Sequence, residues 1–418
     1  MTTIKEIAKA CGVSVATVSY ILNGKGKASA KTTELVLKTA KEMHYTPNAA
    51  ARQLKTKKTK NIGVIVEDMT IFSIPDVVDG ITDYCERMDY QILLINLRLF
   101  KKYNDTYYYE DWYYDKLREN IRKLLNMQVA GIIYVAAHER ILKCLPEDIP
   151  VPTVMAYGYT QSKKIPSVVV DDVSGAFSVM ENLIQHGHRR IGVITGKPDS
   201  LHAQARLMGL QKALYQYHVP FLPQLVVNGD WERASGYAHT DELLRENVTA
   251  IFCMNDLMAG GVYDRLDELH IKAGTDISVA GYDDRMLSSY YKPPLTTVRL
   301  PLHDIGYKAS EVVLGMLNGE IELENEPLVC SVPCNLVERA SVADIRGTAS
   351  ENEVQDKLIG NELPVHGNER DPELEDQAVS AASAEPAQKE ILHGGDMEVV
   401  QEKIPTEENL KMQETKLE

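Results

Sequence analysis

Ser14-Val15-Ala16-Thr17-Val18-Ser19-Tyr20-Ile21-Leu22-Asn23 sets Val18, Ile21 and Leu22 at the three- and four-residue spacing of one helix face. Ser14 stands where a hydroxyl accepts from the free amides of a first turn. Upstream, Thr3-Ile4-Lys5-Glu6-Ile7-Ala8-Lys9-Ala10 reads as a shorter amphipathic helix with Ile4, Ile7, Ala8 and Ala10 apolar. Thr3 and Glu6 have the capping-box spacing that starts such a helix. Cys11-Gly12-Val13 supplies a tight turn, with Gly12 free to take a positive φ. Two short helices joined this way predict a helix-turn-helix, whose second helix enters a DNA major groove. Its exposed side is Val15, Ala16, Ser19 and Tyr20. Small, hydroxyl and aromatic groups of this kind suit thymine-methyl contact and phosphate anchoring.

A third helix is expected from Ser29-Ala30-Lys31-Thr32 to about Met43, with Val36, Leu37 and Ala40 facing inward. The stretch His44-Tyr45-Thr46-Pro47-Asn48-Ala49-Ala50-Ala51-Arg52-Gln53-Leu54 follows. Its Pro-Asn-x-x-Ala-Arg-x-Leu motif is highly specific, and residues 1–60 resemble the DNA-binding headpiece of the LacI–GalR family. The resemblance continues through about residue 340. It implies a headpiece over residues 1–46 that contacts DNA through Thr3, Ser14, Val15, Ala16, Thr17, Ser19, Tyr20, Asn23, Ser29 and Thr32. Residues 47–60 then form a hinge helix and linker. Asn48 is a good N-cap and the residues up to Lys55 are mostly helix formers, yet one or two turns alone are marginal in water. The segment is expected to order only on a partner chain and a DNA groove. By resemblance, Asn48, Ala51 and Leu54 meet the operator there, with Leu54 wedged into the minor groove. Lys55, Lys57, Lys58 and Lys60 follow as a basic linker.

The chain of 418 residues is too long for one core and predicts two or three domains. No run approaches the roughly 18 apolar residues of a membrane span. The N-terminus lacks an apolar signal region, so a cytoplasmic protein is expected. Cys11, Cys85, Cys144, Cys253, Cys330 and Cys334 are scattered through apolar pattern and read as reduced core thiols. The net charge of −15 is unevenly spread. Residues 1–60 carry 12 Lys+Arg against 3 Asp+Glu, residues 61–340 carry 26 against 38, and residues 341–418 carry 7 against 19. A basic head on an acidic body points the nucleic-acid surface at the N-terminus.

From Asn61 onward, short β-branched runs alternate with helix-like stretches. The runs are 62–66, 91–96, 131–136, 152–157, 168–171, 191–195, 225–228, 250–255 and 277–282. This alternation argues for parallel α/β sheets. Asn61-Ile-Gly-Val-Ile-Val is echoed 129 residues later by Arg190-Ile-Gly-Val-Ile-Thr, as two similar halves would require. The expected fold is therefore an all-α helix-turn-helix headpiece followed by an α/β core of two lobes with parallel, Rossmann-like sheets. That core is similar to periplasmic sugar-binding proteins. Lobe 1 is expected at about 61–165 and 302–329, and lobe 2 at about 166–301 and 330–340. Residues 341–418 are acidic, poor in aromatics and broken by prolines, and are expected to be disordered.

Ligands of open α/β sheets bind at the carboxyl ends of strands. The resemblance implies an effector cleft there, with Arg206 and Asp283 as polar anchors. Trp231 would be a stacking face, Asn255 a donor and acceptor at the end of its strand, and Phe72 and Tyr157 wall residues. Guanidinium suits bidentate bonding to hydroxyl pairs or carboxylates. Two departures stand out. Where the family commonly has Asn-Pro-Phe-Phe, this chain has Ile71-Phe72-Ser73-Ile74. The stretch Tyr103 to Tyr114 also carries six tyrosines and Trp112 in twelve residues. It is read as a helix extension packed on the lobe, or else as a carbohydrate-stacking wall, a partner surface or a lid. No catalytic triad context, phosphate loop or metal-ligand spacing is seen, so neither enzyme activity nor a cofactor is expected. The expected function is a homodimeric repressor that binds double-stranded DNA and is switched by a sugar between the lobes. A catabolite-control regulator answering to a phosphoprotein, or a sugar-binding protein without regulatory role, are the alternatives.

Overall fold

The computed structural model describes residues 2–22, 28–45 and 59–347. Helices α1 (Ile4–Cys11), α2 (Val15–Leu22) and α3 (Ala30–Glu42) form the headpiece. Thr3 and Glu6 make the complete capping box, and Gly12 ends α1 in the left-handed region at φ 65°. The three helices close over a small core of Ile7, Ala8, Val18, Ile21, Val36 and Ala40. One inward assignment fails: Leu37 is 50% exposed. On α3 the buried stripe is Val36 and Ala40, four apart, and Leu37 lies a hundred degrees round the helix from Val36.

The first lobe runs β1 (Asn61–Val66), α4 (Ser73–Arg87), β2 (Gln91–Asn96), α5 (Leu99–Tyr103), α6 (Tyr114–Asn126), β3 (Gly131–Val135), β4 (Ile141–Leu142), β5 (Thr153–Ala156), β6 (Tyr159–Thr160) and β7 (Ser167–Asp171). The second runs α7 (Asp172–Gln185), β8 (Ile191–Thr195), α8 (Leu201–Gln216), β9 (Val226–Asn228), α9 (Arg233–Arg245), β10 (Ala250–Cys253), α10 (Asp256–Glu268) and β11 (Ser278–Ala280). After β12 (Thr297–Arg299), α11 (Leu302–Asn318) returns to the first lobe. β13 (Val329–Pro333) and β14 (Asn335–Val337) follow. The first sheet has the order β13-β7-β5-β3-β1-β2 and the second β11-β10-β8-β9, and every pairing within them is parallel. β3, β5, β8 and β10 are buried along their whole length, which is why they read as unbroken apolar runs rather than alternations.

The lobe boundary differs from expectation. β7 and β13, assigned in whole or part to the second lobe, pair with each other and with β5 in the first sheet. The chain therefore crosses between Asp171 and Asp172, and again between Pro333 and Asn335. Between them lies the return through β12, which pairs antiparallel with β14. The ordered chain also outlasts the expected boundary at 341. Ser341 is fully buried, its hydroxyl donates to the Val279 carbonyl at 2.6 Å, and its own carbonyl accepts from Val279 N–H at 2.9 Å. These bonds tie Ser341 to β11, and Ala343 and Ile345 N–H donate in turn to Ser278 Oγ and the His186 carbonyl, both at 2.9 Å. The remainder of the tail, and the hinge 46–58, lie outside the described residues. All six cysteines are unpaired. No helix among the described residues is long and apolar enough to cross a membrane.

Candidate functional site

Two sites follow from this framework. In the headpiece, Ser14 caps α2: its Oγ accepts from Thr17 N–H at 3.0 Å, and the two hydroxyls lie 2.8 Å apart. Ser29 and Thr32 repeat the arrangement at the start of α3, at 3.2 and 2.8 Å. With Val18 and Ile21 turned into the core, α2 presents Val15 (41% exposed), Ala16 and Tyr20 (57% exposed), with Ser19 half-buried beside them. An apolar anchor below and a small, hydroxyl-bearing face above is the build of a groove-reading helix. Asn23, Asn48, Ala51 and Leu54 lie outside the described residues.

The second site lies where β3, β5, β7, β8, β10 and β11 end. Arg206, on α8, is 2% exposed. Its Nε donates to Asp172 Oδ1 at 2.8 Å, its Nη1 donates to the Met254 carbonyl, and Asp283 Oδ1 stands 3.7 Å away. Its guanidinium also lies 3.7 Å over the Tyr282 ring and 5.7 Å from the Trp231 ring. Asp283 ends the β11 segment at φ 105°, a strained conformation of the kind that concentrates at functional positions. Burial pushes its carboxyl up to about 6, against the pull of Arg206. Trp231, at φ 78°, lays its indole on the backbone of Gly196. Tyr157, at φ 57° and buried, has its ring 5.5 Å from that of His202.

Arg206, Trp231, Asp283 and Tyr157 are thus brought together. Asn255 is present in a different role. Its Oδ1 accepts from Met258 N–H at 2.8 Å as the cap of α10, and its Nδ2 donates to the Trp231 carbonyl at 2.9 Å. One end of its amide thus caps α10 and the other holds the Trp231 backbone. Phe72 stands apart, 41% exposed, with the Arg285 guanidinium 4.5 Å over its ring. It shares with Asp283 the lining of a cleft of about 580 Å³, whose other walls include Asp76, Arg299 and His303.

Three residues escaped the sequence reading. Glu139, Asp172 and His202 are buried and hold their ligating atoms within 4.8 Å of one another. His202 Nδ1 is 2.5 Å from Asp172 Oδ2, while its Nε2 accepts from Glu139 N–H at 3.3 Å. A ring that accepts at Nε2 carries its proton at Nδ1, which leaves no lone pair there for a cation. The cluster therefore fits a hydrogen-bonded charge network better than a metal centre. Burial pushes the Glu139 carboxyl up to about 7. Burial works the same way on Asp172, but Arg206 and His202 outweigh it and hold that carboxyl below its usual range. His202 is held above its usual range, as burial is overcome by Asp172. Separations of 33, 30 and 63 residues hid this cluster, although each member lies just after a strand or early in a helix that was recognised.

A two-lobe parallel core behind a helix-turn-helix headpiece defines a class: DNA-binding transcriptional regulators built on a periplasmic-binding-protein scaffold. Residues 3–48 match the family of bacterial regulatory proteins of the lacI type, and residues 180–342 match the periplasmic binding protein-like domain. The chain is 31% identical over 346 residues to the HTH-type transcriptional repressor PurR of Vibrio atlanticus (strain LGP32), spanning 82% of this chain and 99% of that one. PurR of Vibrio parahaemolyticus is 30% identical over the same shares. Among solved structures, the lac repressor dimer bound to operator and the anti-inducer ONPF is 26% identical with a TM-score of 0.63, covering 82% of this chain and 99% of that one. The regulator CelR in complex with cellobiose is 25% identical with a TM-score of 0.53, covering 82% and 100%. The chain belongs to the LacI family of DNA-binding transcriptional repressors.

Proposed function

We propose that the protein is a homodimeric repressor whose grip on a near-palindromic operator is set by a sugar-like ligand between its lobes. The observation that carries the ligand class is that an acceptor, Asp283, and a half-buried aromatic face, Trp231, both stand beside Arg206, 3.7 and 5.7 Å from its guanidinium. A polyol offers hydroxyl donors to the first and an apolar ring face to the second. Arg206 is already bonded to Asp172 and the Met254 carbonyl, so its part is to hold Asp283 and Trp231 in place. Ligand closing the lobes changes the chain passes at 171–172, 297–301 and 333–335, and through them the pairing of the two headpieces. Such coupling between sites is typically about 1–3 kcal/mol. Ligand-bearing relatives such as the CelR–cellobiose complex support the class.

Phe72 and Arg285 favour a second reading. A ring pre-stacked by a guanidinium beside a carboxylate is also a seat for a flat nitrogen heterocycle, and the PurR relatives keep that reading open. Calorimetry on the full-length protein with cellobiose, lactose-type glycosides, ribose and free nucleobases separates the two. Binding of a saccharide that shifts operator affinity supports the sugar; binding confined to a nucleobase sinks it. A purified protein that responds to no small ligand but to a phosphoprotein would instead favour the catabolite-control alternative.

A further inference from the structure

The tyrosine-rich stretch is left over once DNA and ligand are assigned, and it is built in two parts. Its root is locked into the first lobe. Tyr107 and Tyr113 are buried, Tyr107 donates to Glu67 Oε2 at 3.1 Å, and the Arg140 guanidinium lies 5.3 and 4.6 Å over the rings of Tyr107 and Tyr108. Glu67 is itself fully buried and is held by Arg140 at 2.6 Å and Tyr134 at 2.7 Å. The tip leaves that lobe. Tyr109, 69% exposed, donates to Asp199 Oδ2 at 3.2 Å, and Asp105 meets Lys197 at 3.4 Å. Both partners belong to the turn between β8 and α8 of the second lobe. That turn begins at Gly196, which carries the Trp231 indole, and runs into the helix bearing His202 and Arg206.

We infer that residues 103–114 form a latch, rooted rigidly on the first lobe, that ties down the 196–200 turn of the second and so keeps the Trp231 indole covered where it lies on Gly196. A buried root and an exposed tip suit that task. The root costs much to disturb, whereas a surface ion pair and one exposed hydroxyl release easily. The inference rests on the ligand reading above only for what passes the latch, not for the latch itself.

Trp112→Phe leaves Trp231 as the sole indole of the full-length protein, so acrylamide quenching then reports how exposed that indole is. In that background Lys197→Glu, which sets like charges at the tip, is expected to raise the quenching constant roughly 1.5- to 5-fold, the range of an exposed ion pair. Adding Asp105→Lys should restore it. Salt at about 1 M should erase the difference, as the screening length falls to about 3 Å. An unchanged constant on charge reversal, or a rise that the swap fails to reverse, overturns the latch. If Trp112→Phe perturbs the fold, amide exchange over residues 196–206 in the parent chain gives the same comparison. Protection of Trp231 by a saccharide with no effect of charge reversal overturns the latch and leaves the ligand reading standing. A charge-reversal effect with no protecting ligand supports the latch and counts against the ligand.

Discussion

Arg206 is the residue on which the buried charges balance. It bonds Asp172 directly and lies beside Asp283, and both carboxylates are out of water. Removing one partner of a buried pair leaves an uncompensated charge, so Arg206→Ala is expected to cost about 3–5 kcal/mol of core stability, read from urea unfolding. Arg206→Lys should recover only part of this, because an ammonium cannot reproduce the fork to Asp172 and the Met254 carbonyl. Glu139 and Asp283 each add a pH-dependent contribution of the same sign. Their folded carboxyls titrate at about 7 and about 6, above their ordinary values. At these two groups the folded state binds more protons than the unfolded one across about pH 4–7, so their contribution to stability falls as pH rises, whereas His138 and His188, held low by burial, act the other way. Asp172, held low, also acts the other way and loses its contribution only on acidification below its ordinary value. Glu139→Gln should flatten the fall between about pH 4.5 and 7 in thermal melts. A slope identical to the parent's would assign it elsewhere.

Among the elements, α4 and α11 approach closely through Gly80 and Gly306. A Cβ on Gly80 would stand 1.9 Å from the His303 carbonyl oxygen, and one on Gly306 would stand 1.9 Å from that of Val77. Gly80→Ala or Gly306→Ala is expected to lower stability by about 1–3 kcal/mol through overpacking, measurable as a reduced urea midpoint. The nine apolar runs and the three headpiece helices were legible because each carries enough periodic or continuous apolar residues to mark it, including the edge strand β2, which buries none of its residues fully. The two- to five-residue strands β4, β6, β12, β13 and β14 were not: β4 and β6 are two residues each, and the pairing of β12, β13 and β14 is decided by chain passes between lobes rather than by local pattern. Asn255 shows the same limit at site scale. Its position at a strand end was legible, but the commitment of its other amide end to the Trp231 carbonyl, 24 residues earlier, was not. The tyrosine stretch was visible as an anomaly, while its division into root and tip required Glu67, Arg140 and Asp199 to be in place.

For the molecule as a whole, the resemblance and the headpiece geometry make one further expectation concrete. Leu54→Ala should weaken operator binding far more than binding to unrelated duplex, in titrations at matched salt, because a wedge acts only where a base step is unstacked. Equal loss on both duplexes would remove Leu54 from that role. The sheet order also bears on how the protein is made. The headpiece closes its own core within residues 4–45, but the first lobe needs β13, which ends at residue 333, to complete a sheet begun by β1 at residue 61. At ordinary rates of synthesis that gap is on the order of tens of seconds. A nascent chain therefore displays a finished DNA-reading module while the part that governs it is still being translated, so control arrives after grip.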